Sequence, residues 1–261
     1  MRAKHYAVIG LMAAAATFGM GPANAQERLQ LKIGTEGAYA PFNFVTADGA
    51  LQGFDVDIAR ALCEEMNADC EFVIQDWDGI IPALQAGRFD AIVASMSITE
   101  ERKQQVDFTE KYYNTPPAIV VPVNSDIASV SKEDLAGKVI GAQASTTHAN
   151  FAETTFTDST VQLYPTAEEY QMDMVNGRLD AVIDDIIVLD QWLNTDVGEC
   201  CQVLGSITPP EEIYGEGIGV ALRKGEDELR EKFNAAIKAI RENGKYREIN
   251  DEYFSVDVYG E

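Results

Sequence analysis

Strands that alternate with helix-period segments predict an α/β chain of two lobes, each a mixed sheet flanked by helices, joined by two hinge crossings. Three observations carry this expectation. Short apolar runs alternate with amphipathic stretches along nearly the whole chain. A unit beginning "GRFDAIVAS" at Gly87 returns as "GRLDAVIDD" at Gly177. Two double-proline stretches, "YYNTPPAIVVP" and "GSITPPEEIYGEG", break the alternation where the chain would pass between lobes.

Taken in order, "LKIGTE" reads as a strand, "DVDIARALCEEM" as a helix, "EFVIQ" as a strand, "GIIPALQAG" as a short helix and "FDAIVASM" as a strand. After the first double proline the pattern restarts. "KVIGAQ", "VQLYP" and "LDAVID" are strands, separated by helices "THANFAETTF" and "AEEYQMDMVNG" and followed by the helix "IIVLDQWL". A last strand, "GIGVALRK", leads into the long amphipathic helix "EDELREKFNAAIKAIRENG". The division that follows places lobe I at 26–114 and 213–261 and lobe II at 119–208, with crossings near 115–118 and 209–212. Two crossings imply a hinge.

The repeat suggests where function sits. In each copy a helix ends at a glycine, where positive φ suits a cap, and an apolar strand follows. The run ends in Ser95 in one copy and Asp185 in the other. Ligands of open α/β sheets bind outside the carboxyl ends of strands, so two such units would offer both residues to one space. Helix–glycine–strand junctions also recur by chance, so the repeat counts only beside the rest.

The first 25 of the 261 residues read as a secretory leader. Arg2 and Lys4 give a basic start, "AVIGLMAAAATFGM" is apolar, and Ala23-Asn24-Ala25 is a small-x-small cleavage site. Export to the periplasm with cleavage near Ala25 is expected. The net charge of −23 disfavours a phosphate-backbone partner, so no nucleic acid is expected, and the field favours approach of cationic solutes. Most of those acids are read as a solvated surface.

Export permits disulfides. A bridge between Cys63, near a helix end, and Cys70, at a strand start, would pin the two elements. Cys200 and Cys201 are adjacent, with Cα atoms about 3.8 Å apart across a trans peptide, closer than ordinary bridges favour. They are read as an unbridged strand-edge pair, a vicinal bridge being the alternative. A metal site is not expected, since His148 is the one histidine past the leader and no CxxC spacing occurs.

No catalytic constellation emerges: there is no Gly-x-Ser-x-Gly elbow, no phosphate-cradling glycine loop and no HExxH. Asp184 and Asp185 would point to opposite faces of a strand. No enzyme and no cofactor are expected. What remains suits a zwitterion. Arg102 offers a planar fork to a carboxylate, and Asp185 accepts from an ammonium. Thr146 and Thr147 open a helix whose free N–H groups favour carboxylate oxygens. Tyr39 and Trp77 offer ring faces to an aliphatic or guanidinium side chain, and Glu36 offers an acid to a distal cation. Each has a plainer reading: Arg102 as a surface charge, the aromatics as core, the threonines as caps.

These stretches, together with "LKIGTEGAYAPFNF", "GFDVDIARALCEEM", "WDGIIPALQAGRFDAIVASMSITEERKQQVDFTEKYY", "GIGVALRKGEDELREKFNAAI" and "YFSVDVYGE", resemble the periplasmic solute-binding proteins of ABC importers for polar amino acids. The likeness is greatest to the lysine/arginine/ornithine- and histidine-binding group. It implies the two-lobed periplasmic binding protein fold, a monomer, an amino-acid ligand and an inner-membrane permease as partner. It implies a Cys63–Cys70 disulfide, whose spacing matches one in that group. It places Arg102 on the ligand carboxylate with Ser97 and the Thr146 region. Asp185 falls on the ammonium with Ser95, Tyr39 and Trp77 about the side chain, and Glu36 at its cationic end. Ala94 and Gln143 join the site. The group usually has aspartate at Glu36, serine at Ala94, phenylalanine at Trp77 and glutamine at His148. The expected ligand is arginine, lysine, ornithine or histidine. An opine or other polar amino acid, or a periplasmic dehydratase on the same scaffold, is the alternative.

Overall fold

The computed structural model describes Met1, residues 28–208 and residues 210–260. The leader, its cleavage site and Pro209 lie outside the described residues. Lobe I begins with β1 (Leu29–Thr35) and a small antiparallel sheet of β2 (Ala38–Tyr39), β3 (Asn43–Val45) and β4 (Leu51–Gln52). It continues through α1 (Phe54–Glu65), β5 (Ala68–Ile74), α2 (Trp77–Gln85), β6 (Ala91–Ile92), α3 (Glu100–Lys103) and β7 (Asp107–Tyr113). The chain then enters lobe II with β8 (Pro117–Pro122) and β9 (Val139–Gln143). There follow α4 (Thr147–Thr155), β10 (Thr160–Tyr164), α5 (Ala167–Val175), β11 (Ala181–Asp185), α6 (Ile186–Leu193) and β12 (Cys201–Ser206). After α7 (Glu211–Tyr214) it returns to lobe I as β13 (Ile218–Leu222), α8 (Asp227–Glu242) and α9 (Lys245–Tyr253).

The two main sheets share one plan. Their orders are β5-β1-β6-β13-β7 and β10-β9-β11-β8-β12. In each, three strands run parallel and two pair antiparallel beyond them. Strands covered on both faces read as continuous apolar runs, and every residue of β11 is buried. The helices bury one stripe each: on α8 this is Phe233, Ala236, Ile237 and Ile240, at helical spacing.

The repeated sequence unit now has a residue-by-residue account. Gly87 and Gly177 take φ of 74° and 68° at the ends of α2 and α5. The next N–H, of Arg88 or Arg178, closes each cap on Ala83 O or Asp173 O at 3.0 Å. Asp90 and Asp180 then accept, through a carboxylate oxygen, a backbone N–H of the neighbouring strand, Lys32 N at 2.9 Å and Val139 N at 2.7 Å. Glycine turns the chain, and aspartate registers the strand that follows.

Four features depart from expectation. "FDAIVASM" supplies only the two residues of β6, because Ser95 at φ 53° turns the chain out of the sheet. The stretch after the second double proline, given no helix by the sequence reading, carries the helical turn α7 directly after Pro210. The small sheet β2–β4, with strands of two or three residues, carries no periodicity to read. Cys200 and Cys201 are bridged to each other rather than free. A 3₁₀ turn over Gly198–Cys200 takes the chain out of strand geometry just before β12, so the two side chains do not alternate as strand neighbours do.

Cys63 and Cys70 are bridged as the resemblance implies, tying the end of α1 to β5. Replacing both by serine is expected to lower stability by about 2–3 kcal/mol, from the entropy of so short a loop. Chemical denaturation of the double variant beside wild type measures it.

Candidate functional site

The site is assembled where strands end. From lobe I, Glu36 follows β1, Tyr39 closes β2 and Trp77 opens α2. Ala94, Ser95 and Ser97 lie on the segment after β6, and Arg102 sits on α3. From lobe II, Gln143 ends β9, Thr146 caps α4, Thr147 begins it and Asp185 ends β11. All eleven line one cavity between the lobes, which encloses about 700 Å³ of space free of protein atoms, its mouth included.

Local structure explains each placement. Thr146 accepts the Ala149 N–H at 3.1 Å as N-cap of α4 and donates to Gln143 O at 2.7 Å, fixing the strand-to-helix turn. Asp185 caps α6 by accepting the Ile187 N–H at 2.8 Å, and its other oxygen accepts the Thr115 hydroxyl. The Ser95 hydroxyl is held at 2.9 Å by Asp55, a fully buried carboxyl that also accepts Asn43 and Tyr112. That bond fixes Ser95 in its left-handed conformation. Arg102 donates to Ser97 O at 3.1 Å and to Ser145 O at 3.2 Å, and its guanidinium lies 5.3 Å from the Trp77 ring. Trp77 Nε1 donates to the same Ser145 O. Ser97 and Thr147 bring their hydroxyls within 3.4 Å across the lobes.

The crossings contribute walls that sequence reading missed. Thr115, with Tyr113 and Asn114 just before it, lines the cavity at the first, and Tyr214, Gly215, Gly217 and Ile218 line it just after the second. Gly215, at φ 71°, brings the chain against Ile98 so closely that a Cβ would fall 1.8 Å from Ile98 O. His148, read only as a substitution at the edge, also lines the cavity. Its position after Thr147 on a helix opening was the available signal; nothing in the sequence marks Asn114 or Tyr214.

Burial shapes the charges. Glu36 and Asp185 are 6% and 7% exposed. Desolvation raises the Glu36 carboxyl from 4.5 to about 7, against a 2.6 Å hydrogen bond from Gln143 that lowers it. Desolvation raises Asp185 from 3.8 to about 7, against the Thr115 bond. Burial lowers Arg102 from 12.5 to about 10. Among the described residues neither acid forms an ion pair, and neither does Arg102. No group of three His, Cys, Asp or Glu among the described residues could hold a metal ion, and no described helix is long and apolar enough to cross a membrane.

Two sheet-and-helix lobes around a polar cavity define the class of solute-binding proteins. The chain belongs to the bacterial extracellular solute-binding proteins, family 3, whose pattern it matches over residues 31–256. It is 48% identical over 233 residues to the L-arginine-binding protein of Pseudomonas aeruginosa, covering 88% of this chain and 90% of that one. It is 36% identical over 256 residues to the histidine-binding periplasmic protein of Escherichia coli, covering 97% and 96%. The solved structure of an ancestral arginine-binding protein bound to arginine superposes with a TM-score of 0.81 at 36% identity, covering 87% of this chain and 99% of that one.

The raised carboxyls make stability depend on pH. Between about pH 4 and pH 7 the folded state holds protons on Glu36 and Asp185 that the unfolded chain releases, so these groups make stability fall as pH rises and level off above about 7. The protein without ligand is expected to melt at a lower temperature at pH 8 than at pH 5, and the Glu36→Gln/Asp185→Asn double variant should show a smaller drop. Thermal unfolding across that range checks both.

Proposed function

We propose that this is a periplasmic binding protein that captures a basic L-amino acid, arginine first among arginine, lysine, ornithine and histidine, and delivers it to the permease of an ABC importer. The observation that carries the reading is the charge count of the cavity: two buried acids, Glu36 and Asp185, and one base, Arg102, without ion-pair partners among the described residues. A basic amino acid brings the complement, one carboxylate and two cations. Unpaired buried charge is costly, so a ligand that supplies the opposite charges gains what each group lost on burial.

In this reading Arg102 takes the ligand carboxylate with Ser97 and the opening of α4, at Thr146 and Thr147. Asp185 takes the ammonium beside the Ser95 backbone. Tyr39 and Trp77 flank the aliphatic stem, Ala94 leaves room beside it, and Glu36, held by Gln143, meets the distal cation. The binding roles of the relatives, one named for arginine and one for histidine, support a cationic or imidazole side chain. The lobes, 26–114 with 213–261 and 119–208, would swing about the crossings near 115–118 and 209–212. The exported form would begin after Ala25 and act as a monomer without catalysis.

Titration calorimetry of the mature protein is the direct test. Heat on adding arginine is expected, and no heat with any cationic amino acid would reject the ligand class. Arg102→Ala is expected to weaken arginine binding by about 2–5 kcal/mol, since it strands a desolvated carboxylate. Glu36→Gln should instead narrow the preference for arginine over glutamine; an unchanged preference would assign selectivity to another group.

A further inference from the structure

The carboxyl of Asp184 collects donors from both lobes. It stands on β11 beside Asp185, is 1% exposed, and is not part of the cavity lining. Three groups of lobe II address it. Tyr170 Oη, on α5, donates to Oδ2 at 2.5 Å, and the Asp185 N–H donates to Oδ1 at 2.7 Å. His148 Nε2, on α4, lies 3.3 Å from Oδ1. The fourth is Tyr39 Oη, from lobe I, which donates to Oδ1 at 2.5 Å. Burial keeps both phenols well above their ordinary pKa, so they remain donors. The cluster extends to the second crossing, where Tyr214 Oη lies 3.3 Å from His148 Nδ1.

Other contacts across the lobes differ in one respect, the Ser97–Thr147 hydroxyl pair among them, since both hydroxyls belong to the proposed carboxylate site. Trp77 and Arg102 donate to Ser145 O, and Gln143 donates to Glu36. Each of these engages a group that the proposed ligand would also use, so ligand and lobe contact draw on the same atoms. The Tyr39–Asp184 bond draws on the rim of one ring and on a carboxyl outside the cavity. It leaves the Tyr39 ring face available to a ligand and is compatible with an occupied site.

We propose that Asp184 is the latch of lobe closure. Preset within lobe II by Tyr170, His148 and the Asp185 N–H, it captures the Tyr39 hydroxyl as the lobes meet, slows their reopening and fixes the plane of a ligand-facing ring. Asp184 is thus a positioning residue that acts through Tyr39. The ring plane it fixes matters for binding only on the reading given under Proposed function, whereas the latch itself does not depend on which solute is bound.

Two variants separate a latch from a buried acceptor that merely needs donors. Tyr39→Phe and Tyr170→Phe each remove one hydroxyl from the same carboxyl, but only Tyr39 comes from the opposite lobe. Stopped-flow release of arginine is expected to be about 10-fold faster in Tyr39→Phe, the loss of one hydrogen bond to a buried acceptor, and near wild type in Tyr170→Phe. Small-angle scattering of the proteins without ligand should show a larger radius of gyration for Tyr39→Phe alone. Equal release rates in Tyr39→Phe and wild type, or equal acceleration in both variants, would overturn the latch. Should wild type give no heat with arginine, the ligand reading fails and the scattering comparison decides the latch: an unchanged radius in Tyr39→Phe rejects it.

Discussion

The arrangement of this protein turns on three charged groups in one hollow, Glu36 and Asp185 buried and Arg102 half-buried. Glu36, Asp185 and Arg102 are each pushed by desolvation toward their neutral forms, the acids to about 7 and the guanidinium to about 10. Such groups are favourable together only when opposite charges face them in fixed geometry. Glu36 and Arg102 come from one lobe and Asp185 from the other, so the balance exists only while the lobes are apposed. The sheets serve that requirement by aiming their strand ends at a common space.

The sheets do so with one plan used twice. β6 follows the end of α2 as β11 follows the end of α5. In each case a left-handed glycine turns the chain and an aspartate accepts a backbone N–H of the neighbouring parallel strand. The copies diverge where they reach the cavity. After β6 the chain turns away at Ser95, whose hydroxyl is held by Asp55. β11 runs straight to Asp185, which caps α6 and stays at the cavity wall. One scaffold thus presents a backbone-rich wall and an acidic wall.

Much of this was legible in the sequence, and for local reasons. Strand and helix runs follow from periodicity, caps from glycine and threonine, and the bridge of Cys63 to Cys70 from a likeness of spacing. Every residue expected at the site lines the cavity. The parts that escaped depend on distance along the chain. Asp184 meets Tyr39 across 145 residues, and Asp55 meets Ser95 across 40. Neither pair leaves a periodic trace. The walls at Asn114 and Tyr214 flank the crossings, placed by where the crossings run rather than by a pattern of their own. The pairing of Cys200 with Cys201 needed the turn before β12, which strand alternation does not foresee.

The sequence by itself determined the α/β layering, the two excursions between lobes and the inventory of charges, because these follow from short-range sterics, side-chain period and composition. Only the tertiary structure decided which donors each buried carboxyl receives, Tyr39 and Tyr170 on Asp184 and Thr115 on Asp185. Those choices depend on the register of β11 between β9 and β8 and on the apposition of the two lobes. Both are set by packing summed over the whole chain.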